Sequence, residues 1–415
     1  MRRKLQGWTR RAGICALALA LGMPLPAAAS DAPAAGLAGA VEQAWRRHPE
    51  AAALDARDAE ARAARDMAGG LTPEPASVSL GNLSDRQARN LGKQEWEVEL
   101  AVPLWLPGQQ DARAAEAESR IGDAAARRTA AKLEVAGELR ETWWSLAASR
   151  AAKALAARRL DTARALDSDV HKRFKVGELS RIDANLAHGE VLAAEAEMIA
   201  SEAAMQQAEQ AFRLLTGTPA PAQLGEEAAA RVPPIGAAAE LHPQLAAAAA
   251  TARSARARVK LAEETRRAAP ELALRVVRER GDFAEPYGNS VGVKLKIPFS
   301  SGAQVRRDSS AAEAEAEQAD AQMRRAEIRV QLEAERARRA LDAAERQLAM
   351  AAERRSLSAD NLRLTEKAFA LGEADLATLL RIRASAFEAE SFHDRQRLDR
   401  AAAISRLNQA LGVLP

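Results

Sequence analysis

Two stretches of the chain alternate apolar and polar residues with a period of two, at matching places in its two halves. Trp96, Val98, Leu100, Val102 and Leu104 alternate with Glu97, Glu99 and Ala101, and Val291, Val293, Leu295, Ile297 and Phe299 alternate with Lys294 and Lys296. This period sends successive side chains to opposite faces of a β-strand. Less regular partner strands are expected over 77–83, with Val78 and Leu80, and over 272–283, with Leu272, Leu274 and Val276. The loops between them hold Asp85, Arg86 and Asn90 in one half and Glu285, Pro286 and Asn289 in the other. Elsewhere the pattern is helical. Leading helices are predicted over about 36–69 and 238–268, ahead of each strand pair. After Pro107 no proline occurs until Pro219, and after Pro298 none until Pro415. Each of these runs has one strong break, Val176-Gly177-Glu178-Leu179-Ser180 and Leu371-Gly372-Glu373-Ala374-Asp375. Glycine suits the left-handed residue past a helix end, and Ser180 and Asp375 suit the next N-cap. Each run therefore predicts a helical hairpin.

The halves are copies of one unit. A shift of about 195 residues lays Val98, Leu100 and Pro103 on Val293, Leu295 and Pro298. It also lays Lys172, Phe174, Gly177 and Glu178 on Lys367, Phe369, Gly372 and Glu373, and Gly217 on Gly412; His48-Pro49 meets His242-Pro243 at nearly the same shift. The expected divisions are a leader over 1–29, a first repeat over 30–217, a linker over 218–239 and a second repeat over 240–415. Lengths fit as well. A helix over 107–176 rises about 100 Å, whereas a returning helix over 180–217 rises about 55 Å and a leading helix about 45 Å, so two short helices match one long one.

The N-terminus has the form of an export signal: a basic head of Arg2, Arg3, Lys4, Arg10 and Arg11, a short apolar core over 12–23, then Ala27-Ala28-Ala29. That leader holds five of the 60 basic residues and none of the 57 acidic ones. The remaining chain is nearly neutral, and no nucleic-acid partner is expected. The single cysteine, Cys15, lies in the leader, so no disulfide or thiolate ligand is expected. Aromatic residues are only 3% of the chain, too few for one compact core of this length; close-packed long helices are expected instead. His48 and His242 precede prolines at equivalent positions and read as structural; His171, His188 and His393 are scattered, so no metal site and no cofactor are expected. No Ser/His/Asp arrangement, phosphate loop or HExxH segment points to catalysis, and no catalytic residue is expected.

Strands of about ten residues have the length to cross an outer membrane at a tilt. Four cannot close a barrel, and open edges cannot face lipid, but three copies give twelve strands. The expected fold class is therefore mainly α with a β-barrel part: four strands per protomer in a trimeric 12-stranded barrel, above a long α-helical periplasmic barrel. Trp96, Trp105, Phe283, Tyr287 and Phe299 cluster in or beside the strands, as an interfacial girdle would. Glu97, Glu99, Lys294 and Lys296 would line the lumen, with Leu100 and Leu295 toward lipid.

The duplicated unit, the strand ends Val102-Pro103-Leu104 and Ile297-Pro298-Phe299, and the Val/Leu-Gly-Glu breaks together resemble the TolC-type outer-membrane efflux family. The resemblance implies a homotrimer in outer-membrane lipid that docks a periplasmic adaptor (membrane fusion) protein and an inner-membrane pump of the resistance-nodulation-division kind. It places the periplasmic tips, where the adaptor would touch, at Phe174, Gly177, Glu178 and Ser180 and at Phe369, Gly372, Glu373 and Asp375. Family members with pore-constricting aspartates carry them six and nine residues after the second tip glycine; here those positions are Thr378 and Arg381. Asp183, six after the first tip glycine, matches the pattern and equally suits a capping box with Ser180. Arg381 is expected to pair with acids such as Asp183 and Asp375. The turn Trp105-Leu106-Pro107-Gly108-Gln109 resembles the heavy-metal (cobalt-zinc-cadmium) branch. The expected function is export of metal cations or small toxic compounds from the periplasmic pump to the outside; a periplasmic adaptor and an exit duct for type I protein secretion are the alternatives.

Overall fold

The computed structural model describes residues 36–230 and 242–415. The leader with Cys15, the end of the linker with Pro233 and Pro234, and the first residues expected for the second leading helix lie outside the described residues. In chain order the elements are α1 (Leu37–Arg47), α2 (Pro49–Ala68), β1 (Ser77–Ser84), β2 (Gln94–Pro103), α3 (Gln109–Lys175), α4 (Arg181–Thr216), α5 (Pro243–Glu264), β3 (Glu271–Arg280), β4 (Gly288–Lys296), α6 (Gly302–Ala370) and α7 (Leu376–Ala410). The fold is mainly helical, with one antiparallel sheet in the order β1-β2-β3-β4.

The two proline-free runs form hairpins, α3 with α4 and α6 with α7, each arm ending where glycine and a cap dictate. The expected helix over 36–69 is instead two. Proline at 49 has no N–H and holds His48 in extended backbone, φ −71° and ψ 130°. His48 then caps α2, its Nδ1 accepting the Glu50 N–H, and His242 caps α5 in the same way with Gln244 at 3.2 Å. The repeated His-Pro is thus a helix-start device. β3 stops at Arg280 rather than near Phe283, because the Glu285 carboxylate accepts the Gly281 N–H and turns the chain. Asn289, expected in the loop, lies in β4.

Alanine sets the helix packing. Ala117, Ala136, Ala187, Ala194, Ala252, Ala351 and Ala389 are buried in the seams, where a small side chain lets backbones approach closely. Cross-helix ion pairs flank these seams: Arg128 with Asp55 and Arg120 with Glu60 bind α3 to α2, while Arg159 with Glu190 binds it to α4. Arg258 with Glu315 and Arg354 with Glu388 do the same for α5 with α6 and α6 with α7. Two short helices therefore line one long one in each half.

The largest apolar core lies midway along the helices, where Val41, Leu139, Trp143, Trp144, Leu146 and Phe212 meet Ala401 and Ala402. The described part of the linker is a strap docked on this core rather than a free tether. Trp143 donates to the Gly225 carbonyl at 3.1 Å, Arg150 to the Pro221 carbonyl at 2.7 Å, and Asn408 to the Ala228 carbonyl while accepting the Ala230 N–H. Beneath it Arg140, 2% exposed, holds Glu227 with two hydrogen bonds of 2.7 and 3.0 Å. The same guanidinium donates to Gln409 Oε1 and to the Val413 carbonyl, so one side chain ties α3, the strap and the C-terminal end together. Burial pushes the Glu227 carboxyl up, but hydrogen bonds from Arg140, Ser405 and Asn408 outweigh it and hold it below its ordinary value.

Removing one partner of a buried pair strands the other charge, so Arg140→Ala is expected to cost about 3–5 kcal/mol of stability. Arg354→Ala, at the exposed pair with Glu388, is expected to cost less than about 1 kcal/mol. Denaturation of the purified protein in detergent checks the contrast, and equal costs would refute it. Because Glu227 is depressed in the folded state, its contribution is present above the ordinary value of 4.5 and is lost as pH falls through the lowered one. Glu227→Gln is therefore expected to flatten the loss of stability on acidification.

Candidate channel face and hairpin tips

The register of the sheet makes one face apolar across all four strands. Val78 lies opposite Leu100, Leu100 opposite Leu274, and Leu274 opposite Val293. The next row is Leu80, Val98, Val276 and Val291; Leu272 and Leu295 extend the face toward the helices. From the Leu272 row to the Trp96 row this face spans about 20 Å along the strands at ~3.3 Å per residue. It is open to the surroundings: Leu80 is 79% exposed and Val293 74%. For a soluble sheet such a face would require a covering layer.

The opposite face is polar and laced with ion pairs. Arg275 on β3 reaches Glu97 at 3.1 Å and Glu95 at 3.6 Å on β2. Lys294 on β4 reaches Glu99 on β2 at 3.3 Å, crossing β3 over the small side chain of Ala273, which lies opposite it in the register. Lys296 pairs with Glu271 at 3.2 Å. The expected polar set of Glu97, Glu99, Lys294 and Lys296 thus shares one face, and sequence reading missed Arg275, the residue that links two of the acids. Its signal was a cation between Leu274 and Val276, in the apolar middle of β3.

The aromatic cluster divides. Trp96 and Phe283 are exposed at the loop end of the sheet and Phe299 at the helix end. Trp105 does not join them: its Nε1–H donates to the Gly70 carbonyl at 3.1 Å and Arg113 covers its ring at 5.3 Å. It braces the joint between sheet and helices. Gln109 of the same turn folds its side chain back to accept the Leu106 N–H.

At the tips the glycines behave as the pattern requires. Gly177 has φ +80° and Gly372 φ +75°; the Glu178 N–H donates to the Arg173 carbonyl and the Glu373 N–H to the Ala368 carbonyl. Ser180 and Asp183 form a full capping box, and the Asp183 carboxylate accepts both the N–H and the hydroxyl of Ser180. Asp375 caps α7 by accepting the Thr378 N–H at 2.7 Å. Hydrogen bonds from Thr378 hold its carboxyl below the usual range, with Arg381 adding to the effect.

Within one chain Arg381 forms no ion pair among the described residues with Asp183 or Asp375, both of which act as caps. The nearby pairing falls to Arg383, which holds Glu366 at 2.8 Å. One expectation is corrected here. Phe369, expected on the docking surface, is buried at 8% with Val170, Leu376 and Leu379, and Arg173 covers its ring; its counterpart Phe174 is 37% exposed. The equivalent positions differ because each tip has different neighbours.

Among the described residues no helix is long and apolar enough to cross a membrane. Nor does any group of three or more His, Cys, Asp or Glu side chains there offer a metal site.

A Cβ at Gly177 or Gly372 would meet nothing within 4 Å, so Gly177→Val and Gly372→Val are expected to cost only backbone strain. That strain is about 1–2 kcal/mol. At Gly217 a Cβ would also meet the Arg47 guanidinium at 2.7 Å and at Gly412 the Pro243 ring at 2.7 Å, so valine there should cost more. Amide hydrogen exchange should show faster opening confined to the tip in the first pair and spreading to the central core in the second. Identical protection maps would refute the distinction.

A search for relatives by sequence among curated proteins finds no match. Residues 235–413 match the family model described as outer membrane efflux protein. Several solved structures share the fold. The outer membrane protein VceC of Vibrio cholerae is 17% identical with a TM-score of 0.72, the match covering 91% of this chain and 96% of that one. The outer membrane channel CmeC of Campylobacter jejuni is 15% identical with a TM-score of 0.73, covering 91% and 85%. The open state of the MtrE outer membrane channel of Neisseria gonorrhoeae is 16% identical with a TM-score of 0.73, covering 91% and 89%. The matched family and these neighbours are channels rather than enzymes. Residues 235–413 thus match the outer membrane efflux protein family, and the described chain has the fold of outer-membrane channels of known structure.

Proposed function

We propose that the chain is one subunit of a homotrimeric outer-membrane efflux channel of the TolC type. The observation that carries this reading is the open apolar face of a sheet whose two outer strands, β1 and β4, each have one unpaired edge. Adjacent strands alternate in direction, so β4 of one copy can add to β1 of the next as a further antiparallel pair. Three copies then close twelve strands with the apolar rows toward lipid and Glu97, Glu99, Lys294 and Lys296 toward the lumen. The helices have matching open surfaces. Met350, Leu357 and Leu364 on α6 and Leu371 at its C-cap recur every seven residues and are all exposed, the spacing of a seam between supercoiled helices. The neighbouring subunit is the occupant this seam calls for.

In this arrangement the helices extend into the periplasm and the tips face a periplasmic adaptor protein, through Phe174, Gly177, Glu178 and Ser180 and through Gly372, Glu373 and Asp375. Val176 and Leu371 beside the tip glycines are exposed and give the docking surface its apolar component. The adaptor would couple the channel to an inner-membrane pump of the resistance-nodulation-division kind. The cargo is read as metal cations or small toxic compounds, with selection made by the pump. The lumen offers neutralised ion pairs rather than a ligand set. The heavy-metal branch rests on the turn at Trp105 alone. Arg381, without an ion-pair partner among the described residues, is read as part of the resting constriction near Thr378, repeated three times about the axis.

Fractionation of cells expressing the full chain should place it in the outer membrane as a trimer that dissociates on heating; a soluble monomer would sink the reading. Leu100→Arg should block assembly, since arginine at the midplane of the lipid face costs about 2–4 kcal/mol. Glu99→Arg should assemble and change ion selectivity. The reverse outcome would invert the faces. In planar bilayers Arg381→Ala should raise resting cation conductance, and an unchanged conductance would place the constriction elsewhere.

A further inference from the structure

The loop end of the sheet gathers cations without carboxylate partners. Arg278 and Arg280 form no ion pair among the described residues, and neither do Arg86, Arg89 and Lys93 in the neighbouring loop. Glu279, between the two arginines, alternates to the opposite face of β3, and the loop acids are committed elsewhere. Asp85 accepts the Leu91 N–H, Asp282 accepts the Ala284 and Glu285 N–H groups, and Glu285 accepts the Gly281 N–H. Glu95 meets Arg275 on the opposite face.

Arg278 and Arg280 leave β3 on the same face as Val276 and Leu274, in line with the apolar rows. Both guanidinium groups lie over the Tyr287 ring, at 4.9 and 4.8 Å from its centre, and Arg280 also covers Phe283 at 5.3 Å. The ring is fixed in turn by its hydroxyl, which donates to Gln94 Oε1 at 2.6 Å. Arg280 spends its Nε–H on the Gly92 carbonyl, which orients the group, and its terminal N–H groups have no protein acceptor among the described residues. Two guanidinium groups gathered on one ring offer donors that suit the oxygens of a phosphate, to which arginine donates bidentately. Directly below them begins a surface suited to acyl chains. The fitting ligand is therefore an amphiphile with a phosphate at its head.

We propose that Arg278 and Arg280, stacked on Tyr287 at the loop end of the apolar sheet face, bind the phosphate of a phosphorylated glycolipid in the outer leaflet. This rests on the reading of the sheet as an outer-membrane barrel. Bound lipid of this kind would pin the barrel at the height where apolar rows give way to polar ones, an arginine counterpart of an aromatic girdle. Lys93, Arg86 and Arg89 extend the positive rim and attract the same headgroups.

The test uses the full chain purified from outer membranes in mild detergent, with retained glycolipid quantified by mass spectrometry. The wild type should retain it, and the double variant R278Q/R280Q should lose at least about tenfold, the size expected for charge-assisted hydrogen bonds. As a second arm, unaltered protein is offered vesicles containing bis-phosphorylated lipid A or its dephosphorylated form. Preference for the phosphorylated lipid, resistant to competition by inorganic phosphate, supports the proposal. Equal retention by wild type and variant, equal binding of both lipids, or full displacement by inorganic phosphate overturns it. If the chain fails to fractionate with the outer membrane, the barrel reading itself has failed. If it does fractionate there and lipid retention ignores phosphate, only this inference is lost.

Discussion

The outer edges of β1 and β4 carry backbone N–H and C=O groups that find no partner within the chain. In hydrocarbon each such group costs several kcal/mol, and no side chain can remove that cost. The apolar rows make water an equally poor surrounding for the sheet, because they would expose one continuous apolar face. A single copy is therefore unsuited to either solvent. Under the proposed trimer, edge-to-edge closure with further copies would satisfy backbone and side chains together, and the long helices would serve as the support that brings the edges into register.

Those helices achieve register by two means of different strength. Buried alanines allow close approach but say little about which helix lies beside which, since one alanine seam resembles another. The ion pairs across the seams, such as Arg159 with Glu190 and Arg258 with Glu315, are partly exposed and individually weak. Their value lies in number and position, because a shift of one helical turn would break them, leaving Arg159 and Arg258 opposite uncharged residues. Arg140 is of another kind. Buried beneath the strap and bonded to Glu227, Gln409 and Val413, it joins the end of the first repeat to the end of the second. A duplicated chain needs such a junction where its copies meet, and Trp143, Trp144 and Phe212 supply the apolar surface around it.

The sheet divides its charges by face and by height. On the polar face, cations meet acids through Arg275, Lys294 and Lys296, which leaves a highly polar, ion-paired surface. At the loop end of the apolar face, cations remain without carboxylates because turn geometry has engaged Asp85, Asp282 and Glu285. The same loop acids that hold the turns closed thus leave the rim positive.

The sequence by itself determined the elements that depend on near neighbours. A period of two, runs of more than a hundred residues without proline, and a glycine followed by a cap each act through backbone preferences within a few residues, so strands, hairpins and tip turns were legible. Which face of each strand is polar followed from the same alternation. The tertiary structure decided everything that depends on which distant groups meet. It docked the strap on the central core and buried Arg140 beneath it. It placed Phe369 in a core while leaving Phe174 exposed, and gave Glu366 to Arg383 while Arg381 gained no partner. It also turned Trp105 into a brace and chose Arg275 to bridge two acids. The physical reason is range. A dihedral preference is fixed by atoms along the chain, whereas the partner of a charge or ring is chosen by packing among residues far apart in sequence. Charged and apolar residues offered many near-equivalent partners here, and only the assembled helices and sheet distinguish between them.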